Sequence, residues 1–186
     1  WMTAFCAIYP GVHRGARWSH QGTLNGFQAL LAGETDLAPM GRELWPTERK
    51  IYAELRGQPA PLEIRVARGG FNTPQRTTAQ AIFVHASNPL AGLTVAQIDA
   101  IFGQERRQGF KEAINTWGQL GLTGEWARRP ITVYVPPRVT PNAMSLQISV
   151  LREGAWSSVV QEKSVAELAA AVAANPGAIG FGGFED

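Results

Sequence analysis

The sequence predicts an α/β protein in which short strands alternate with helices and the strands run mostly parallel. Two observations carry this expectation. Segments with apolar residues at helical spacing alternate along the chain with short apolar or β-branched runs, the pattern of helices wound about a parallel sheet. With 45% hydrophobic and 17% charged residues over 186 positions, the chain also has enough apolar side chains for a packed core. Twenty glycines and 12 prolines supply the turns between elements.

Taken in order, residues 1–9 read as a helix stopped by Pro10-Gly11, and residues 12–18 as a strand. A helix opens at Gly22-Thr23, carries Leu24, Phe27, Leu30 and Leu31 at helical spacing, and closes at Gly33. Residues 35–40 read as a short strand that exits at Gly41-Arg42. Residues 46–56 form a helix with Trp45, Ile51, Tyr52 and Leu55 as its apolar members, ended by Gly57-Gln58-Pro59. Residues 62–67 alternate as a strand does. The turn-rich loop 69–74 is the expected crossing between two lobes, 1–72 and 73–186.

In the second lobe, strand 81–85 is broken by Ser87-Asn88-Pro89, and Thr94 caps a helix bearing Val95, Ile98, Ile101 and Phe102. Loops containing Trp117 and Trp126 lead to the β-branched strand 131–135. Helices follow over 142–152 and from Ser164 to Asn175, and the run AIGFGGF closes the chain as a strand.

Composition excludes several functions. The formal charge of +2 comes from 17 basic against 15 acidic residues, without the dense Lys/Arg run of a nucleic-acid groove. No apolar stretch approaches the roughly 20 residues that span a bilayer, so no direct membrane insertion is expected. Cys6 is the only cysteine and forms no internal disulfide. His13, His20 and His85 lack ligand spacing, so no metal site is expected. No P-loop or GxSxG elbow is present and no nucleophile–base pair can be singled out, so no catalytic residues are expected. The six tryptophans read as packing residues rather than a sugar-stacking surface.

Two places suit a small anion. Helix starts present free N–H groups, and strand ends of open α/β sheets are where ligands bind. Residues 21–44 combine both, with an arginine arriving at the strand exit.

Three segments in order, ALLAGETDLAPMGREL, AIFVHASNPLAGLTVAQIDAIFG and VAANPGAIGF, resemble the phosphate-binding substrate-binding proteins of bacterial ABC importers. The resemblance runs over most of the chain. It implies the type II periplasmic-binding-protein fold, two α/β lobes closing on an anion held by main-chain amides and hydroxyls. It implies binding of phosphate or a similar oxyanion without a cofactor, a periplasmic or extracellular location, and transporter membrane subunits as partners. The residues matching the family's first-lobe motif are Gln21, Gly22 and Thr23, and the strand-exit position falls at Gly41-Arg42. The second-lobe site falls at Thr140, Pro141 and Asn142, with Arg138 as a source of charge.

Departures from the family pattern frame the alternative. Pro141 stands where relatives have glycine and has no N–H to donate, and Gly41 stands where they have a hydroxyl. Each lost hydrogen bond to a charged ligand is worth about 1.5–3 kcal/mol, or about tenfold in affinity. The relatives also begin with a further strand and anion loop and return to the first lobe at their end. The first lobe is therefore expected to be incomplete, with an unfilled edge near Trp1 and Asp186. A sensory or scaffold module that keeps the fold and has lost tight anion binding is the second reading. An enzyme using His20 is the third.

Overall fold

The computed structural model describes residues 23–66 and 79–183. The expected helix 1–9, strand 12–18, crossing loop 69–74 and unfilled edge near the chain ends lie outside the described residues, as do Cys6, His13, His20, Gln21 and Gly22. The chain divides into two compact units, Trp1–Gly41 and Arg42–Asp186.

In the first unit, helix α1 spans Thr23–Ala32 and buries Phe27, while Leu24 is exposed. It ends as expected at Gly33, whose φ of 75° is the left-handed conformation that glycine adopts without a Cβ penalty. The Gly33 N–H donates to Leu30 C=O and the Glu34 N–H to Ala29 C=O, the paired bonds that satisfy a helix's last carbonyls. The strand expected over 35–40 does not form among the described residues. The Thr35 hydroxyl donates to Leu37 C=O and accepts from Leu37 N–H, a local turn that competes with a ladder.

The second unit begins with helix α2, Pro46–Arg56, closed by Gly57 at φ 64°. Its apolar face differs from the expectation. Tyr52 is buried, but Ile51 and Leu55 are exposed, and the other buried side chain is Glu48. Charge pairing rather than apolar periodicity thus decides which side of this helix is covered. The strand expected over 62–67 does not form among the described residues. Residues 60–66 run without turn or bend but pair with no ladder, and Leu62, Ile64 and Val66 are exposed.

From residue 79 onward the expected alternation of strand and helix is present. Strand β1 (Gln80–Val84) leads to α3 (Val95–Phe102), two short 3-10 turns (Trp117–Leu120 and Gly124–Trp126), and β2 (Thr132–Val135). Helix α4 (Pro141–Ser149), β3 (Gln161–Glu162), α5 (Val165–Ala174) and β4 (Ala178–Gly183) follow. Thr94 caps α3 with a reciprocal box: its hydroxyl accepts from Gln97 N–H, and the Gln97 side chain accepts from Thr94 N–H. Helix α4 ends three residues earlier than expected, because the chain turns through Arg152 and Glu153, both at positive φ. Strand β3 carries no sequence signal, being two exposed residues long.

The four strands form one mixed sheet in the order β1-β4-β2-β3. β2 lies parallel to both β4 and β3, while β1 is antiparallel to β4 from Gln80↔Gly183 to Val84↔Ile179. A fully apolar run such as β4, buried along its length, has no alternation from which direction could be read. The core is aromatic. Phe181 of β4 meets Phe102 edge-on at 5.8 Å and stacks on Trp156 at 6.0 Å, and Trp117 meets Trp126 edge-on at 6.2 Å. These tryptophans are packing residues, as expected. Trp117 is fully buried, and its indole N–H donates to Gly177 C=O at 3.2 Å. Gly118 beside it is required by close approach, since a Cβ there would lie 2.1 Å from Ala127 O.

Candidate functional site

In the first unit, Thr23 opens α1 and its hydroxyl accepts the Gly41 N–H at 3.0 Å. Two of the expected ligand positions are therefore bonded to each other. That bond occupies the Gly41 amide and uses the Thr23 hydroxyl only as an acceptor. Gly41 is not at positive φ, and a Cβ there would meet Thr23 Oγ1 at an ordinary 3.7 Å. Among the described residues, nothing in the backbone or packing demands glycine at this position.

Arg42 is engaged within its own unit. Its guanidinium donates both Nη groups to the Glu48 carboxylate at 2.7 Å each, donates Nη1 to Glu43 C=O, and stacks 3.8 Å over the Trp45 ring. Glu48 also accepts the Trp45 N–H at 2.8 Å. Burial pushes the Glu48 carboxyl up, but the hydrogen bonds from Arg42 and Trp45 N–H, with the Arg42 charge, outweigh it and hold the group below its ordinary value. The Arg42–Glu48 pair is largely buried.

The second corner lies at one end of the mixed sheet, where β2, β3 and β4 finish and antiparallel β1 starts. Thr140 caps α4, its hydroxyl accepting the Ala143 N–H at 3.4 Å, and its C=O accepts the Met144 N–H at 3.0 Å. Pro141 contributes no N–H. The Asn142 N–H is thus the first-turn donor of α4 left without a protein acceptor among the described residues. Gln80 at the start of β1 donates its amide to Asn142 C=O at 2.8 Å and so braces this turn. Arg138 stands three residues beyond β2, half-exposed, and donates Nε to Glu162 at 2.6 Å. Thr140, Asn142 and Arg138, neighbours along the chain, lie at one sheet end. Gln80 and Glu162 were missed, since their partners lie 62 and 24 residues away and no local pattern marks them.

Two cavities flank this region. One of about 10 Å³, lined by residues including Phe83, Asn142, Leu168 and Phe181, has room for about one water. The other, of about 120 Å³, is an apolar groove between β1, α3 and α4. Neither encloses an oxyanion by itself. His85 is bound in its turn, with Nδ1 2.8 Å from Ser87 Oγ and accepting the Ser87 N–H. Among the described residues no group of three His, Cys, Asp or Glu is placed to hold a metal, and no helix is long and apolar enough to cross a membrane.

The PBP superfamily domain matches residues 1–184 of this chain. Over 134 residues, 72% of the chain, the sequence is 35% identical to the phosphate-binding protein PstS from two strains of Pseudomonas aeruginosa, and the match spans 38% of those relatives' own length. Among solved structures, an ABC-type phosphate transport receptor from Vibrio cholerae is similar at a TM-score of 0.53 and 18% identity, covering 99% of this chain and 66% of that one. A possible phosphate binding protein from Planctomyces limnophilus gives 0.47 and 16%, covering 87% and 51%. The Vibrio likeness shows a shared fold.

Proposed function

This chain belongs to the PBP superfamily, and from that premise we propose that it binds phosphate or a similar small oxyanion for uptake through an ABC transporter. In this reading residues 1–72 and 73–186 form the two lobes and the ligand is held between them. Capture is by hydrogen bonding and desolvation, with no covalent chemistry, and takes place in the periplasm or outside the cell. Transporter membrane subunits are the partners. The observation that carries the reading is the convergence at one sheet end of Thr140, Arg138 and the Asn142 N–H, which has no acceptor among the described residues. That corner offers a capped helix start and a cation to an anion. Gln21, Gly22, Thr23, Gly41 and Arg42 make up the opposing set. The 35% identity to a phosphate-binding protein supports the choice of ligand.

Titration with phosphate, followed by tryptophan fluorescence and by the thermal midpoint, tests this. Saturation with a rise in midpoint is expected; no response at millimolar phosphate from folded protein removes phosphate as the ligand. Replacing Thr140 with valine removes the cap and is expected to cost about 1 kcal/mol of stability and to weaken phosphate binding. Gly41→Ser adds a hydroxyl where space exists and is expected to tighten phosphate binding about tenfold.

A second reading, a sensory or scaffold module without tight anion binding, has its own support. The Gly41 N–H is already bonded to Thr23, Arg42 to Glu48 and part of Arg138 to Glu162. It expects no phosphate response from the natural sequence and no gain from Gly41→Ser.

A further inference from the structure

The start of α4 brings a single main-chain donor to the anion corner. The Thr140 hydroxyl accepts the Ala143 N–H, Pro141 has no N–H, and the Asn142 N–H is left without an acceptor among the described residues. What this helix offers an anion through its backbone therefore depends on where residue 142 stands. The rest of the turn is fixed from within: Thr140 caps it, and Ala143 and Leu146 are buried in the aromatic core. Asn142 itself is half-buried, and its fastening comes from another element. Gln80 Nε2 donates to the Asn142 C=O at 2.8 Å.

Gln80 is itself anchored. It is the first residue of β1 and pairs with Gly183 on the outermost rung of the antiparallel ladder, at the sheet end where β2 and β4 finish. A carbonyl only accepts, so the Gln80 amide turns its NH2 and not its oxygen toward Asn142, and the contact calls for a donor. The other side chains lining the adjacent groove are apolar, so Gln80 is the polar member of that lining. We propose that Gln80 is a positioning residue for anion binding. Through the Asn142 carbonyl it sets the first turn of α4 against the sheet and so aims the Asn142 N–H at the ligand. The inference rests on the reading of this corner as an oxyanion site. Hydrogen bonds weaken steeply as donor and acceptor lose alignment, so releasing the turn costs affinity without removing any group that touches the anion.

Inorganic phosphate titrated into the whole chain, followed by tryptophan fluorescence, tests this with two variants whose folding is checked by their thermal midpoints. Gln80→Met keeps the length of the side chain and fills the groove without a donor. Gln80→Ala also lacks the donor and leaves the space empty. Each is expected to raise the Kd for phosphate about fivefold, and the two values are expected to match although Gln80→Met keeps the higher midpoint. In amide proton–nitrogen correlation spectra the Asn142 resonance of the natural sequence is expected to move downfield on adding phosphate, and to move less in both variants. Phosphate binding that is unchanged in Gln80→Met, or weakened in Gln80→Ala alone, means that Gln80 packs and does not position; this overturns the inference while the oxyanion reading stands. An Asn142 resonance indifferent to saturating phosphate overturns it as well. No phosphate response from the folded natural chain overturns the oxyanion reading and this inference together.

Discussion

Replacing Trp117 with alanine is expected to destabilise the protein by about 3–5 kcal/mol, the range for deleting a large buried aromatic. Three losses add up at this position. The ring is fully buried, so its removal leaves a cavity where neighbours are held by the sheet. Its edge-to-face partner Trp126 loses the contact at 6.2 Å. The Gly177 carbonyl loses the indole N–H but keeps the Thr132 N–H at 2.9 Å, so this bond adds only about 0.5–1.5 kcal/mol. Because Gly177 immediately precedes β4, the strand between β1 and β2, the damage reaches the sheet itself. Urea unfolding followed by circular dichroism checks this: the midpoint should fall at an unchanged slope. A drop under about 1 kcal/mol would contradict the packing described here. Trp117→Phe keeps a ring and loses the donor, so it should fall between alanine and the natural residue.

The second large effect is at Glu48. Glu48→Gln leaves the largely buried Arg42 guanidinium without its charge partner, and breaking such a pair from one side costs about 3 kcal/mol. Its dependence on pH has a definite sign. The folded carboxyl titrates below its ordinary value of 4.5, so its contribution to stability is present above that pH and is lost as pH falls through the folded value. The gap between the natural protein and Glu48→Gln should therefore be widest near neutrality and should close progressively below about pH 4.5. Unfolding midpoints for both proteins, taken in steps from neutrality down to about pH 3, measure it. A constant gap across that series would mean that Glu48 acts through packing and not through charge.

Local signals in the sequence are those whose physics is local. Thr94 with Gln97, Gly33, Gly57 and Ser164 each marks a helix end, because a cap is made by residues three or four positions apart. The runs at 81–85 and 131–135 and the closing AIGFGGF read as strands because apolar, β-branched stretches bounded by turns have few alternatives. The two failed strands, 35–40 and 62–67, had suitable composition but no ladder among the described residues, and composition carries no information about a partner. The candidate site was legible to the same extent. Asn142 was readable as the start of a helix, whereas the cap itself is Thr140, and Gln80 and Glu162 reach this corner from distant elements.

What the amino-acid order settled alone was the α/β class and the capped helix ends at Gly33, Gly57 and Thr94, since each depends on neighbours along the chain. Tertiary structure decided that β1 runs antiparallel, that Arg42 turns to Glu48 and Trp45, that Gly41 is tied to Thr23, and that residues 62–66 stand without a ladder among the described residues. Those outcomes depend on which groups meet across space, where a charge takes the nearest open partner and a backbone edge takes whatever strand arrives.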